Sequence, residues 1–568
     1  MNMFWRRRSD PGIRTAMIDL RTIPWLTLTA FVTVTPHVET FPPWLSALIA
    51  MGLVGRLALW RQSRRALPSW SLFLLALVGT GVVLFEYRTI FGREPGVALL
   101  GVLMTLKLLE LRHARDGWVI VMLGFFLLLT HYFIADAIWV GVWMLLALMI
   151  TTATLIRLQD PASEQPPQNT LRHAGKLLLL ASPVMLVLFV LFPRISGPLW
   201  GMPQDRSKAS SGLSDELRMG SISELTLSTA LAFRVEFFTA PPPRDQMYWR
   251  GPVMSDFDGS TWRAGRSAPT EKSPINPVGA QIDYAITLEP HRQRWLLALD
   301  LPTRLPDTAQ MNAALSVVLR KAGPVMDRTR FQLSSHVDYV AGLEERPNEL
   351  KRNLVLPKEG NLRARQLATQ WREQAPAQRA AEYISAKALQ RFRDNGFIYT
   401  LRPPLLGESA IDAFLFETQR GFCEHYASAY VFLMRAANIP ARVIGGYQGG
   451  EMNPLDGVLT VRQSDAHAWA EIWTPERGWT RVDPTGWIAP ERVEQGLQAA
   501  LPPGETVSPL LSVDIDWIRA LRFRWDMVNN LWNLWVIGYN EDRQRELLRR
   551  LGLDNNWSTQ IWLLVGLG

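Results

Sequence analysis

Two hydrophobic patterns divide the chain near residue 193. Before that point, apolar runs close to the ~20 residues that cross a bilayer as a helix recur at 22–38, 43–60, 69–85, 96–111, 117–134, 137–156 and 176–192. They predict seven helices of a membrane domain over residues 1–193, the first diluted by threonines and Pro24. Residues 194–224, rich in Gly, Ser and Pro, read as an irregular segment. From Ala230 the period changes to two, and strands are expected at 231–238, 246–253, 281–289, 294–299, 314–320 and 329–335. This gives a juxtamembrane segment and β domain over 194–350. Helical spacing returns at Leu362–Glu373 and Ala377–Asn395, with Gly396 as a C-cap, and opens a mixed α and β core over 351–510. Over 511–556, Trp517, Trp525, Trp532 and Trp535 are spaced 8, 7 and 3 apart. Those intervals predict one face of an amphipathic helix that docks on the core or lies at a membrane surface. Residues 557–568 read as the start of a C-terminal membrane helix, cut short.

Basic residues orient these spans. Arg6, Arg7, Arg8, Arg14 and Arg21 precede the first, Arg61, Arg64 and Arg65 follow the second, and Arg112, His113 and Arg115 follow the fourth. Arg157, Arg172 and Lys176 flank the polar, proline-rich linker after the sixth. The loops at 37–42 and 135–137 carry neither Lys nor Arg; the loop at 86–95 has Arg88 and Arg93 balanced by two glutamates. The positive-inside rule then puts the N-terminus in the cytoplasm, and seven spans put everything after residue 193 outside. The basic lead-in reads as that of an uncleaved anchor. The expected fold class is a multi-span α-helical membrane domain followed by an exported α+β part. The net charge of +8 follows partly from the arginine bias, so no nucleic-acid partner is inferred. Lys107, beside Glu110, reads as a side chain snorkelling to the interface. The spans hold few other ionisable groups, which argues against a transporter.

Chemistry concentrates at the single cysteine. In Gly421-Phe422-Cys423-Glu424-His425-Tyr426, a glycine precedes a run of helix formers reaching Ala437. Gly421 is expected to supply an unusual backbone angle, and Cys423 falls in the first helical turn. Free N–H groups and the helix dipole there predict a lowered thiol pKa. Downstream, Asp465–Trp473 alternates as a half-buried strand, Pro475–Gly478 reads as a turn and Trp479–Pro484 as the returning strand. His467 and Asp483 lie sixteen residues apart, so a loop centred on Pro475 sets them side by side. Thiol, imidazole and carboxylate are the set that nucleophilic catalysis needs. His425, His291 and His336 are the other candidate bases, and Asp465 and Glu471 the other candidate orienters. One cysteine precludes an internal disulfide, and neither zinc spacing nor a cofactor motif is present. Asp256-Phe257-Asp258-Gly259 reads as an Asp-Gly hairpin turn rather than part of a calcium loop.

The blocks GFCEHYASA, DAHAWAEIW and GWTRVDPTG resemble the Cys, His and Asp blocks of the transglutaminase-like superfamily, in that order. The segments at 192–203, 220–237 and 248–262 resemble its bacterial membrane-bound subgroup of the TgpA type. The resemblance implies a papain-like core with catalytic Cys423, His467 and Asp483, and a thioester mechanism. It also implies a location in the bacterial inner membrane with the active site in the periplasm. The partners implied are a protein or peptide amide, glutamine above all, and an amine acceptor. The family's aromatic group over the oxyanion falls on Tyr399 here, with Gln419 as a lesser candidate beside the backbone N–H of Cys423. A protease, amidase or deamidase with the same triad stays open, as does a non-catalytic scaffold.

Overall fold

Long apolar segments satisfy their own backbone as helices, and among the described residues seven α-helices form before residue 193: Ile23–Val34, Pro43–Arg61, Ser69–Tyr87, Arg93–Glu110, Ala114–Tyr132, Ile138–Gln159 and Pro167–Leu191. The computed structural model describes residues 17–192 and 212–550, with short breaks at 39, 63–67, 90–91, 133–137, 161–163, 220, 266–274, 321–322, 327, 503–504, 506–515 and 540. Arg6–Arg8, Arg14, Arg64, Arg65, the loop at 135–137, all of 193–211 and the apolar run from Trp557 lie outside the described residues.

Five of the seven helices are long and apolar enough to cross a membrane: Pro43–Arg61, Trp70–Tyr87, Ala114–His131, Ile138–Gln159 and Pro167–Leu191. The two that fall short of that measure do so for different reasons. Ile23–Val34 has only 12 residues of α-helix, roughly 18 Å at 1.5 Å per residue. Its threonines turn inward, and the Thr29 and Thr154 hydroxyls hydrogen-bond at 2.8 Å. Arg93–Glu110 carries four charged residues. Lys107 does not simply snorkel: its ammonium meets Asp116 at 2.8 Å and Glu110 at 3.0 Å.

The chain forms two units, residues 1–206 with 529–568, and residues 207–528. In the second unit, the strands expected of the β domain interleave with those of the core. A seven-stranded sheet runs in the order Ile275–Pro277, Tyr339–Ala341, Gly478–Val482, Ala466–Thr474, Ala441–Gln448, Tyr248–Met254, Ala298–Leu299. A six-stranded antiparallel sheet runs Leu301–Arg304, Thr329–His336, Ile282–Leu288, Leu231–Phe237, Val458–Arg462, Glu451–Met452. Tyr248–Met254 thus pairs with Ala441–Gln448, and Leu231–Phe237 with Val458–Arg462, across the division drawn at residue 350. Each segment supplies the other's missing edge partner, so neither sheet is complete alone. One hydrophobic core runs through both.

The cysteine helix, Cys423–Ala436, lies at the centre of this core, buried from Cys423 to Arg435. A helix enclosed on all sides needs apolar or small residues all round, and Ala427, Ala429, Val431, Phe432 and Leu433 supply them. The turn at Asp258-Gly259 is a tight hairpin: Asp258 Oδ1 accepts the N–H groups of Ser260 and Thr261, and Gly259 takes φ 112°. The helix Asp516–Trp532 docks by its polar side, contrary to the usual order. Within the second unit Arg522 pairs with Glu451 and Asp526 with Arg462, while Trp517 (68% exposed) and Trp525 (48%) face outward.

Candidate active site

The chain reaches Cys423 through a turn whose glycine is needed for space. Gly421 has no positive φ; the left-handed residue is Gln419, at φ 50°. A Cβ on Gly421 would meet the Phe414 ring at 2.6 Å and His425 Cβ at 2.7 Å. Close approach, not backbone angle, therefore requires glycine here. A short parallel pairing of Ile398–Tyr399 with Arg420–Gly421 sets Tyr399 beside Gly421, two residues before the cysteine. Gln419 contributes its backbone to this pairing, its carbonyl accepting the Ile398 N–H at 2.8 Å, and its side chain is half-buried. His425 caps the helix: Nδ1 accepts the Phe422 N–H at 3.2 Å, and burial pushes the imidazole down to about 4.

The cysteine helix packs on the strand Ala466–Thr474, which carries His467. The N–H of Ala468, the next residue, donates to Cys423 Sγ, so the thiol sits at the histidine's position along the strand. The returning strand pairs Ala470 with Val482 and Thr474 with Gly478, leaving a three-residue loop centred on Glu476 rather than Pro475. In this register Asp483 falls just past the ladder, opposite Trp469. His467 and Asp483 are therefore diagonal neighbours on one face, still within reach. His467 Nε2 and Asp483 Oδ2 are 2.8 Å apart.

Protonation states follow from these partners. Burial alone would raise the Asp483 pKa, but His467, the Tyr248 hydroxyl and the Thr485 N–H together hold it below the usual carboxylate range. An ionised carboxylate only accepts, so Nε2 carries the proton. Burial lowers the His467 pKa against the pull of Asp483, leaving a neutral ring. Its Nδ1 is buried with no hydrogen-bond partner, and so presents an idle lone pair. The thiol departs from expectation: burial, then the neighbouring Glu424 carboxylate, push Cys423 well above its ordinary value, outweighing Arg492 and the Ala468 N–H. A fully enclosed thiolate loses more hydration than a helix end returns.

Tyr399 is buried, stacks on Phe422 with ring centroids 4.9 Å apart, and its hydroxyl has no hydrogen-bond partner. Its O–H is a donor without an acceptor close to the thiol, whose charge acts on it. The other candidates are engaged elsewhere. His291 stacks on Trp295 and His336 lies against Thr303. Asp465 accepts the Arg462 N–H, and Glu471 is clamped by Arg250 and Arg442.

Three groups at the site escaped the sequence reading. Glu424 is fully buried, its Oε2 lying 3.5 Å from Cys423 Sγ. Arg492, on the short helix Pro490–Glu494, donates to the carbonyls of Asp465 and Ala466, fixing the strand just ahead of His467. Tyr248 donates to Asp483 Oδ2 at 2.8 Å from a strand more than 200 residues upstream. No spacing rule links residues so distant; adjacency of Glu424 to the cysteine was the one available signal. A hydrogen bond to a charged group contributes about 1.5–3 kcal/mol. Tyr248→Phe should therefore lower kcat about tenfold or more and move the acid limb of the pH–rate profile upward, because Asp483 loses a donor that depresses its pKa. An unchanged profile would mean that His467 and Thr485 suffice to hold the carboxylate.

Residues 25–341 match the family described as the TgpA N-terminal domain, and residues 367–484 match the transglutaminase-like superfamily. A protein-glutamine gamma-glutamyltransferase of Pseudomonas aeruginosa is 40% identical over 553 residues, covering 95% of this chain and 81% of that protein. Two crystal structures of the periplasmic domain of TgpA from Pseudomonas aeruginosa, one bound to ethylmercury, are each 43% identical to it. They cover 50% and 51% of this chain, and 100% and 99% of their own, with TM-scores of 0.48 and 0.49.

Proposed function

Since this chain belongs to the TgpA-type family of transglutaminase-like proteins, we propose that it is a membrane-anchored cysteine acyltransferase acting on glutamine carboxamides through a thioester. The observation that carries this reading is the buried His467, bound to Asp483 through Nε2 and idle at Nδ1, beside the only thiol in the chain.

His467 Nδ1 takes the proton of Cys423 as Sγ attacks the amide carbon. Asp483 steadies the imidazolium so formed. The developing oxyanion meets the Cys423 N–H, which has no acceptor within the first helical turn, and the Tyr399 hydroxyl. The imidazolium returns its proton to the leaving nitrogen, ammonia departs, and the acyl group stays on sulfur. An amine such as lysine, with His467 again as base, then attacks the thioester and frees the thiol. Water in place of amine would give the deamidase or protease outcome. The arginine distribution supports an inner-membrane anchor with this site in the periplasm.

The test is incorporation of a labelled primary amine into a glutamine-rich protein by the full chain in detergent, with peptide cleavage followed in the same tube. The reading expects incorporation that Cys423→Ala abolishes. Cysteine-dependent cleavage without incorporation would move the assignment to the hydrolase; incorporation surviving Cys423→Ala would remove the nucleophile.

A further inference from the structure

The thiol proton has an acceptor other than the catalytic histidine. Cys423 Sγ lies 3.5 Å from Glu424 Oε2, within hydrogen-bond reach for sulfur. His467 Nδ1, equally buried, accepts nothing. Glu424 is itself held: its Oε1 accepts the N–H of Ser223, from the short helix Ser221–Thr226, at 3.4 Å. Both Cys423 and Glu424 are 0% exposed.

We propose that Glu424 is a positioning residue that holds Cys423 as a protonated, hydrogen-bonded thiol in the resting enzyme, so that turnover begins when the S–H swings from the Glu424 carboxylate to His467 Nδ1. The proposal rests on the reading of Cys423 as nucleophile and adds a resting state to it. A thiol that donates to a buried carboxylate cannot ionise without placing two negative charges side by side in a low-dielectric interior. The same S–H facing His467 gives its proton to a neutral imidazole, and the products are an ion pair that Asp483 supports. No atom is gained or lost: the proton leaves sulfur, joins Nδ1, and later departs with the amide nitrogen.

The charged and titratable groups around the thiol and Glu424 are, on their own helix, Glu424 itself and His425, whose Nδ1 lies 3.8 Å from Glu424 Oε1 and whose ring burial keeps neutral; His467 and behind it Asp483 on the hairpin; Arg492 on the helix Pro490–Glu494; and Tyr399 on the strand Ile398–Tyr399. Glu424 opposes the thiolate, and Arg492 favours it. The carboxylate therefore supplies the side of this balance that substrate binding must overcome. Such a device keeps a periplasmic-type thiol from oxidation, since the thiolate is the form that oxidants attack.

The chain's single cysteine makes the test direct, because alkylation reports one site and needs no turnover. The rate of iodoacetamide labelling of the full chain in detergent is followed against pH. Glu424→Gln retains an oxygen for the Ser223 N–H but removes the charge. It should move the labelling midpoint down by about one unit or more, making labelling near pH 7 about tenfold faster. A superimposable profile would overturn the proposal. The second measurement needs no variant: one cysteine gives one S–H stretching band. The proposal expects that band in the wild type at pH 7.5, lowered in frequency by hydrogen bonding, and unchanged in His467→Ala. Its absence at pH 7.5, or a shift in His467→Ala, would show the proton already shared with His467. Loss of this proposal alone leaves amine incorporation dependent on Cys423, whereas loss of the nucleophile reading leaves incorporation in Cys423→Ala.

Discussion

Asp483→Asn should leave the fold intact and lower turnover by about 10⁴-fold. The carboxylate accepts three donors: the Tyr248 O–H and His467 Nε2–H at Oδ2, and the Thr485 N–H at Oδ1. Asparagine has one acceptor oxygen and one NH₂ group. If its oxygen stays on Thr485, the NH₂ faces His467, and Nε2 must become the acceptor. The ring proton then moves to Nδ1, the atom that has to receive the thiol proton. The base is thereby lost through its tautomer, with every side chain still in place. The check is kcat for amine incorporation together with a thermal unfolding midpoint. A loss below tenfold, with a normal midpoint, would show that Asp483 does not set the tautomer.

Glu471→Gln should destabilise the second unit by about 3–5 kcal/mol, the usual cost of leaving buried charges without their partner. Glu471 is 1% exposed and lies between two buried guanidiniums, Arg250, with Nη2 at 3.1 Å, and Arg442, with Nε at 2.8 Å. Arg442 also stacks on Trp479, 3.8 Å from the ring centroid. Burial would raise the Glu471 pKa, but the two arginines bring it down to about 2. The sign follows: a depressed carboxylate contributes fully above its ordinary value near 4.5, and the contribution fades as pH falls towards about 2. Denaturant midpoints of wild type and variant should therefore differ most near pH 6 and converge on acidification below about 4.5. A constant gap across that range would show that the arginines do not hold Glu471 ionised.

Glu471 marks where pattern ends and packing begins. Strand alternation placed it on the strand of His467, as a candidate orienter. Register sets both Arg442 and Arg481 opposite it, but only Arg442 pairs with it, and the second arginine, Arg250, comes from a strand of the upstream β segment. Tyr248 reaches Asp483 from that same strand. Both contacts exist because Tyr248–Met254 fills an edge of the core's sheet, a pairing that no local period encodes.

What the sequence determined by itself is whatever is written in local periods: the helices before residue 193, most of the strands, and the cysteine at a helix start with histidine and aspartate on one hairpin. Helix and strand repeats, turn residues and spacing are short-range properties, and each survives in the primary chain. The register of the hairpin, diagonal rather than opposed, depended on one residue of loop length. Gly421 was legible as a necessary glycine, but its reason, the Phe414 ring and His425 packed against it, belongs to the tertiary structure. The thiol's protonation was decided there too. A helix terminus is visible in sequence and argues for a thiolate. Burial on every side and a carboxylate at 3.5 Å are not visible, and they reverse the sign, because the hydration lost by an enclosed charge exceeds what a helix dipole gives back.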